Sequence, residues 1–291
     1  TDFNISTNKN IVRDLGGVDY RPTSVGGGFI TSVGRVYKGN QIGTAYGYVF
    51  DGVYQMDEFT WQDNSDPTIP FEERTFQLKP GVTSVAGAIL KPGSLKFKNF
   101  NPEEDNVVDE NDMKIISRSS PKIYGGFSNT FRFKGLELSV FFTGMYGNQI
   151  FNESRFRMEG AVPYTWLNIT KDFWENRWTP DNPTNARGNF ASETLNPTAS
   201  YASSYYVEDA SFLRLKTLTL SYTLPQSIIR KISPSRISNI RVYVTGENLY
   251  TWTNYSGFDP EIDSGNPLLT GYDRISYPRT RSVIFGLSIT F

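Results

Sequence analysis

KIYGGFSNTFRFKGLELSVFFTGMYG, residues 122–147, reads as two strands and the turn between them. In its first half Ile123, Phe127, Phe131 and Phe133 fall on one face, against Tyr124, Ser128, Thr130, Arg132 and Lys134. In its second half Leu136, Leu138, Val140, Phe142 and Tyr146 alternate with Glu137, Ser139, Phe141, Thr143 and Met145. Side chains alternate across a strand, so a period of two gives each run one apolar face and one mostly polar face. Only Lys134-Gly135 separates the runs, which predicts a tight hairpin.

The same period recurs along the chain. Near the start, Phe3, Ile5, Thr7, Lys9 and Ile11 oppose Asn4, Ser6, Asn8 and Asn10. In FLRLKTLTLSYTLP (212–225), Leu218, Leu220, Tyr222 and Leu224 oppose Thr217, Thr219, Ser221 and Thr223, but Leu213 and Leu215 are out of phase with them. A β-bulge near Lys216, or an exit from the layer that demands alternation, accounts for the slip. IRVYVTGENLYTW (240–252) sets Ile240, Val242 and Val244 against Arg241, Thr245 and Glu247. The chain ends on RSVIFGLSITF (281–291), where Val283, Phe285, Leu287, Ile289 and Phe291 alternate with Ser282, Ile284, Gly286, Ser288 and Thr290.

Six strands are thus expected, with connections that alternate in length. Those at 134–135 and 225–239 are short, and the second has room for one helical turn. Those at about 13–122, 148–210 and 253–280 are long. Short turns at one end and long loops at the other are the pattern of an outer-membrane β-barrel, with periplasmic turns and extracellular loops. Alternation also describes a soluble β-sandwich, here one that binds carbohydrate through exposed aromatics, and that reading stays open on pattern alone.

Composition narrows the function classes. The chain has no Cys and no His, which excludes thiol nucleophiles, disulfides and thiolate zinc sites and removes the usual general base. An enzyme is therefore not expected. The 29 Lys and Arg are balanced by 30 Asp and Glu, so nucleic acid is not an expected partner. No apolar run approaches 18 residues, so no transmembrane helix is predicted.

Five segments carry a family resemblance: YGYVFDGVYQ (46–55), FKGLELSVFFTGMYGNQIFN (133–152), YVEDASFLRLKTLTLSYTLP (206–225), IRVYVTGENLYTWTNYSGFDPE (240–261) and YPRTRSVIFGLSITF (277–291). They resemble, in order, the C-terminal part of the SusC/RagA family of TonB-linked outer-membrane transporters. The resemblance implies a large barrel of about 22 strands filled by an N-terminal plug. It also implies a SusD-like surface lipoprotein as a lid over the mouth, outer-membrane lipid around the wall, and traction from the TonB complex on an N-terminal part. Residues 1–291 would then be the C-terminal barrel segment of a longer protein, importing an oligosaccharide or a peptide across the outer membrane of a Gram-negative bacterium.

Candidate contact residues follow from the same reading. Trp166, Trp174, Arg177 and Trp178, with Arg155 and Arg157, lie in the 148–210 connection, and Tyr255 and Phe258 follow the fifth strand. Aromatic faces stack on sugars and Arg forks bind carboxylates, so these residues are candidates for cargo or lid contact. KDFWENRW (171–178) alternatively forms a short amphipathic helix whose Trp174 and Trp178 share one face and fill the loop's own small core or pack on the SusD-like partner. Tyr250 and Trp252 are expected in an aromatic girdle. Gly286, Ile289 and Phe291 resemble the terminal signal read by the barrel-assembly machinery.

Two further clusters yield less. The family commonly carries a calcium-loop-like stretch where this chain has GSLKFKNFNPEEDNVVDENDMKII (93–116). No Gly aims Asp105, Asp109 and Asp112 there, so they are weak metal candidates and no metal or cofactor is expected. Glu153, Glu159, Asp172 and Glu175 have no spacing that defines a catalytic carboxylate pair, and no catalytic residue is assigned.

Overall fold

A computed structural model describes residues 1–23, 33–61, 68–103, 105–159, 168–189, 196–232, 236–262, 268, 270–274 and 276–291. Six strands form one antiparallel sheet: β1 (Asp2–Ser6), β2 (Ile123–Phe133), β3 (Leu136–Tyr146), β4 (Phe212–Thr223), β5 (Asn239–Thr253) and β6 (Ser282–Thr290). Their order in the sheet is their order in the chain, an up-and-down meander. β1 is shorter than its alternating pattern, which runs on to Ile11. Beyond Ser6 the backbone leaves the sheet, and the Val12 N–H donates to the Asn40 carbonyl instead.

The register assembles one continuous apolar face. Phe3 stands opposite Phe127, Phe127 opposite Phe142, Leu138 opposite Leu220, Leu220 opposite Val244, and Val244 opposite Phe285. Much of this face is uncovered by the described residues: Phe285 is 81% exposed and Phe131 59%. The opposite face is polar and cross-linked. Glu137 accepts from Arg132 at 2.5 Å and from Arg241 at 2.8 Å, Thr219 and Thr245 share a hydrogen bond, and Ser282 donates to Glu247.

Lys134 and Gly135 both take positive φ, 47° and 87°, as a two-residue hairpin turn requires. A Cβ on Gly135 would also lie 2.7 Å from the Thr223 carbonyl oxygen of the next strand. Gly135→Ala is expected to cost about 1–2 kcal/mol from the left-handed backbone alone. A lowered denaturant midpoint of the refolded protein checks it, and an unchanged midpoint contradicts it. The expected bulge is present: pairing passes from Phe141–Thr217 to Phe142–Leu215 and leaves out Lys216. Across from it, Asn248 (φ 49°) and Leu249 of β5 are left out of the pairing with β4. The omission of Lys216 puts Leu213 and Leu215 on the apolar face with Leu218. The link between β4 and β5 carries helix α3 (Gln226–Ile232), anchored by the enclosed Ile229.

The large hydrophobic core lies outside the sheet. Val53, Tyr54, Phe97, Phe151, Trp178 and Tyr206 pack in one cluster drawn from the first two long connections, with Tyr272 added from the third. Tyr48 bridges to Ser203, and the strand Gln149–Asn152 pairs with Val207–Asp209 on one side and Tyr272–Asp273 on the other. Backbone hydrogen bonds therefore tie all three connections together at one end of the sheet.

Candidate functional site

In that loop assembly, helix α1 (Glu153–Met158) starts where Asn152 accepts from the Arg155 N–H at 2.8 Å. One turn sets Arg155 beside Glu159 at 2.5 Å and Arg157 beside Glu153 at 2.5 Å, the i,i+4 spacing at which side chains meet. Helix α2 (Lys171–Asn176) is capped by Thr170, whose hydroxyl accepts from the Phe173 N–H, and it presents Asp172 to Arg187 at 2.5 Å. Arg187 also reaches Glu159 at 3.4 Å, so the two helices are joined through charge. Burial works against the Arg155 charge, but Glu159 and the neighbouring Tyr205 outweigh it, and the guanidinium is held above its ordinary value.

A cavity of about 420 Å³ opens over this network. Arg155, Glu159, Asp172 and Arg187 line it together with Met158 and the exposed Phe258. It offers fixed charges of both signs beside apolar surface, a composition suited to recognising a polar ligand that also has apolar parts. The buried carboxylates are ion-paired, Glu153 with Arg157 and Arg274 as well as Glu159 with both Arg155 and Arg187.

The sequence-derived candidates separate here. Phe258 lines the cavity, and Trp174 is exposed with the Arg177 guanidinium stacked 3.6 Å from its ring centroid. Trp178 does not share a face with Trp174. The helix ends at Asn176, Arg177 is already extended, and Trp178 turns inward to full burial, donating from Nε1 to Gln55 Oε1 at 2.9 Å. Tyr255 is likewise enclosed, and its hydroxyl donates to Asp273 at 2.6 Å. Burial, with the Asp273 charge next, pushes that phenol up. Neither Trp178 nor Tyr255 therefore presents a surface to cargo. Trp166 lies outside the described residues.

The acidic candidates are occupied with backbone. Asp105 accepts from the Val107 N–H, Asp109 from that of Asn111, and the buried Asp112 from Phe100 at 2.6 Å and Asp109 at 3.0 Å. Tyr250 and Trp252 sit on the apolar face at the loop end of β5, with Trp252 6.3 Å from Phe142. Gly286 lies on the polar face, where the Tyr243 ring of the adjacent strand occupies the space of its missing Cβ, whereas Ile289 lies opposite Ile240 on the apolar face. Sequence reading missed Arg187, because an isolated arginine between Ala186 and Gly188 carries no periodic signal.

A two-faced meander whose apolar face is left largely exposed by the described residues, with polar side chains on the other face and all long connections at one end, defines a segment of a transmembrane β-barrel. No protein-family profile matches the chain. The TonB-dependent receptor P26 of Formosa agariphila is 30% identical over 99% of this chain and 26% of its own length. The receptor SusC of Bacteroides thetaiotaomicron is 24% identical over 64% of this chain and 17% of its own. Among solved structures, the RagAB peptide transporter matches with a TM-score of 0.67 and 23% identity, over 99% of this chain and 26% of that one. The chain belongs to the SusC/RagA family of TonB-dependent receptors, and it spans about a quarter of the length of the receptors it matches over its full extent.

Proposed function

We propose that this chain forms wall and mouth of an energy-coupled importer that carries an oligosaccharide or a peptide across the outer membrane. Residues 1–291 are the C-terminal segment of the barrel, and the plug and remaining strands belong to the same longer polypeptide. A SusD-like lipoprotein closes over the loop assembly, and the TonB complex acts through the plug. Trp174, Arg177 and Phe258 are the contact candidates at the mouth. Gly286, Ile289 and Phe291 serve barrel assembly. The chain has no catalytic role.

The observation that carries this reading is the sheet's bare apolar face, which a soluble β-sandwich would cover with a second sheet. The experiment places an arginine on each face of the full-length receptor. Phe285→Arg is expected to destabilise the inserted barrel by about 2–4 kcal/mol, whereas Thr219→Arg on the polar face has little effect. Heat-modified mobility of the outer-membrane fraction reads both. Equal effects would remove the membrane reading. Loss of growth on an oligosaccharide or on a peptide as sole nutrient, after deletion of the receptor, distinguishes the cargo classes.

A further inference from the structure

Near the loop end of the apolar face, Gly125 of β2 stands directly opposite Gly144 of β3. Without side chains there, the face has a dimple of about 260 Å³, rimmed by Ile5, Phe127, Phe142, Tyr146 and Leu213. Immediately beyond the strand ends lies a second, polar cleft of about 640 Å³. Tyr146 lines both, so the two adjoin at its side chain.

The cleft is cationic. Lys9, Arg118 and Lys122 line it, with Asp209 as the opposing charge. Asp209 is already engaged by the N–H and hydroxyl of Ser211. Among the described residues, no carboxylate lies within ion-pairing distance of Lys9, Arg118 or Lys122; the ion pairs that do form link other residues. Lys122 is also placed: its aliphatic stem crosses Gly147 where a Cβ would stand, and its backbone N–H closes onto the Tyr146 carbonyl. An apolar recess at membrane depth under unneutralised cations at the interface has the two-part chemistry of an anionic lipid.

We propose that dimple and cleft together hold one phosphate-bearing lipid of the outer leaflet. An acyl chain lies over Gly125 and Gly144, and the phosphate sits among Lys9, Arg118 and Lys122. The proposal rests on the membrane reading above.

Native mass spectrometry of the full-length receptor, released from outer membranes in mild detergent, tests it. The wild type is expected to carry about one phosphate-bearing lipid. Combined Lys9→Glu, Arg118→Glu and Lys122→Glu should lower that occupancy about tenfold or more, given the contribution of each surface cation. Lys122→Ala alone, a change at an exposed side chain, should lower it about threefold and keeps the test readable if the triple variant does not assemble. Arg230→Glu with Lys231→Glu, at the opposite end of the sheet, should leave it unchanged. Unaltered occupancy in the cleft variants, an equal loss in the opposite-end control, or displacement of the lipid by millimolar inorganic phosphate would overturn the proposal. A wild-type receptor absent from the membrane fraction would instead overturn the importer reading.

Discussion

Trp178→Ala is expected to destabilise the loop assembly by about 3–5 kcal/mol, whereas Trp174→Ala, four residues earlier, should cost about 1 kcal/mol or less. Trp178 is fully buried, lies 5.6 Å from the Phe71 ring and occupies the space that a side chain on Gly93 would need. Truncation opens a cavity at the meeting of two long connections and leaves Gln55 Oε1 without its indole donor. Trp174 is 54% exposed and contributes mainly its stacking with Arg177. Calorimetry of the detergent-solubilised receptor, with limited proteolysis of residues 168–189, separates the two. Equal losses of stability would show that Trp178 does not hold the connections together. Weaker capture of cargo in Trp174→Ala, at unchanged stability, is the complementary result for a surface contact.

The same pair of tryptophans marks how far the sequence can be read. The six strands, the Lys134-Gly135 turn and the Lys216 bulge are visible because alternation is local: each residue's face follows from its neighbours two positions away. The loop assembly is not local. Trp178 is paired with Gln55 from another connection, and Arg155 contacts the carbonyl of Tyr205, far along the chain. No periodicity specifies such contacts. Helical spacing would put Trp174 and Trp178 together, but the helix stops at Asn176 and the next residue extends. Tyr255 reads as equally suited to a surface because it follows a membrane strand, but its hydroxyl is bound inside by the Asp273 carboxylate from later in the same connection. The apolar residues of the strands, conversely, invite the assumption of an interior core. The core is in the loops, since the strands bury their apolar face in lipid.

Arg214→Met is expected to loosen the third connection by about 3–5 kcal/mol, the cost of breaking a buried ion pair from one side. Arg214 stands on the polar face of β4 and is 1% exposed. Its guanidinium donates to Asp259 at 2.6 Å, to Glu261 at 3.2 Å and to the Thr251 hydroxyl at 3.0 Å. Asp259 in turn accepts the Glu261 N–H, and Arg279 reaches Glu261 at 3.1 Å from the start of the final strand's approach. One side chain of the wall thus fixes the start of the connection, beside the Phe258 that lines the cavity, and through Glu261 and Arg279 it also reaches the connection's far end. Removing it leaves the buried Asp259 charge without its closest partner. Adding Asp259→Asn to Arg214→Met should recover part of the loss, because a neutral amide needs no counter-charge. Proteolysis within 254–262 and cargo capture should both respond, while Phe285 and its neighbours keep the barrel in the membrane. If Arg214→Met instead lowered membrane insertion and left the connection protected, the guanidinium would be serving the wall, and the coupling of β4 to the mouth would be wrong.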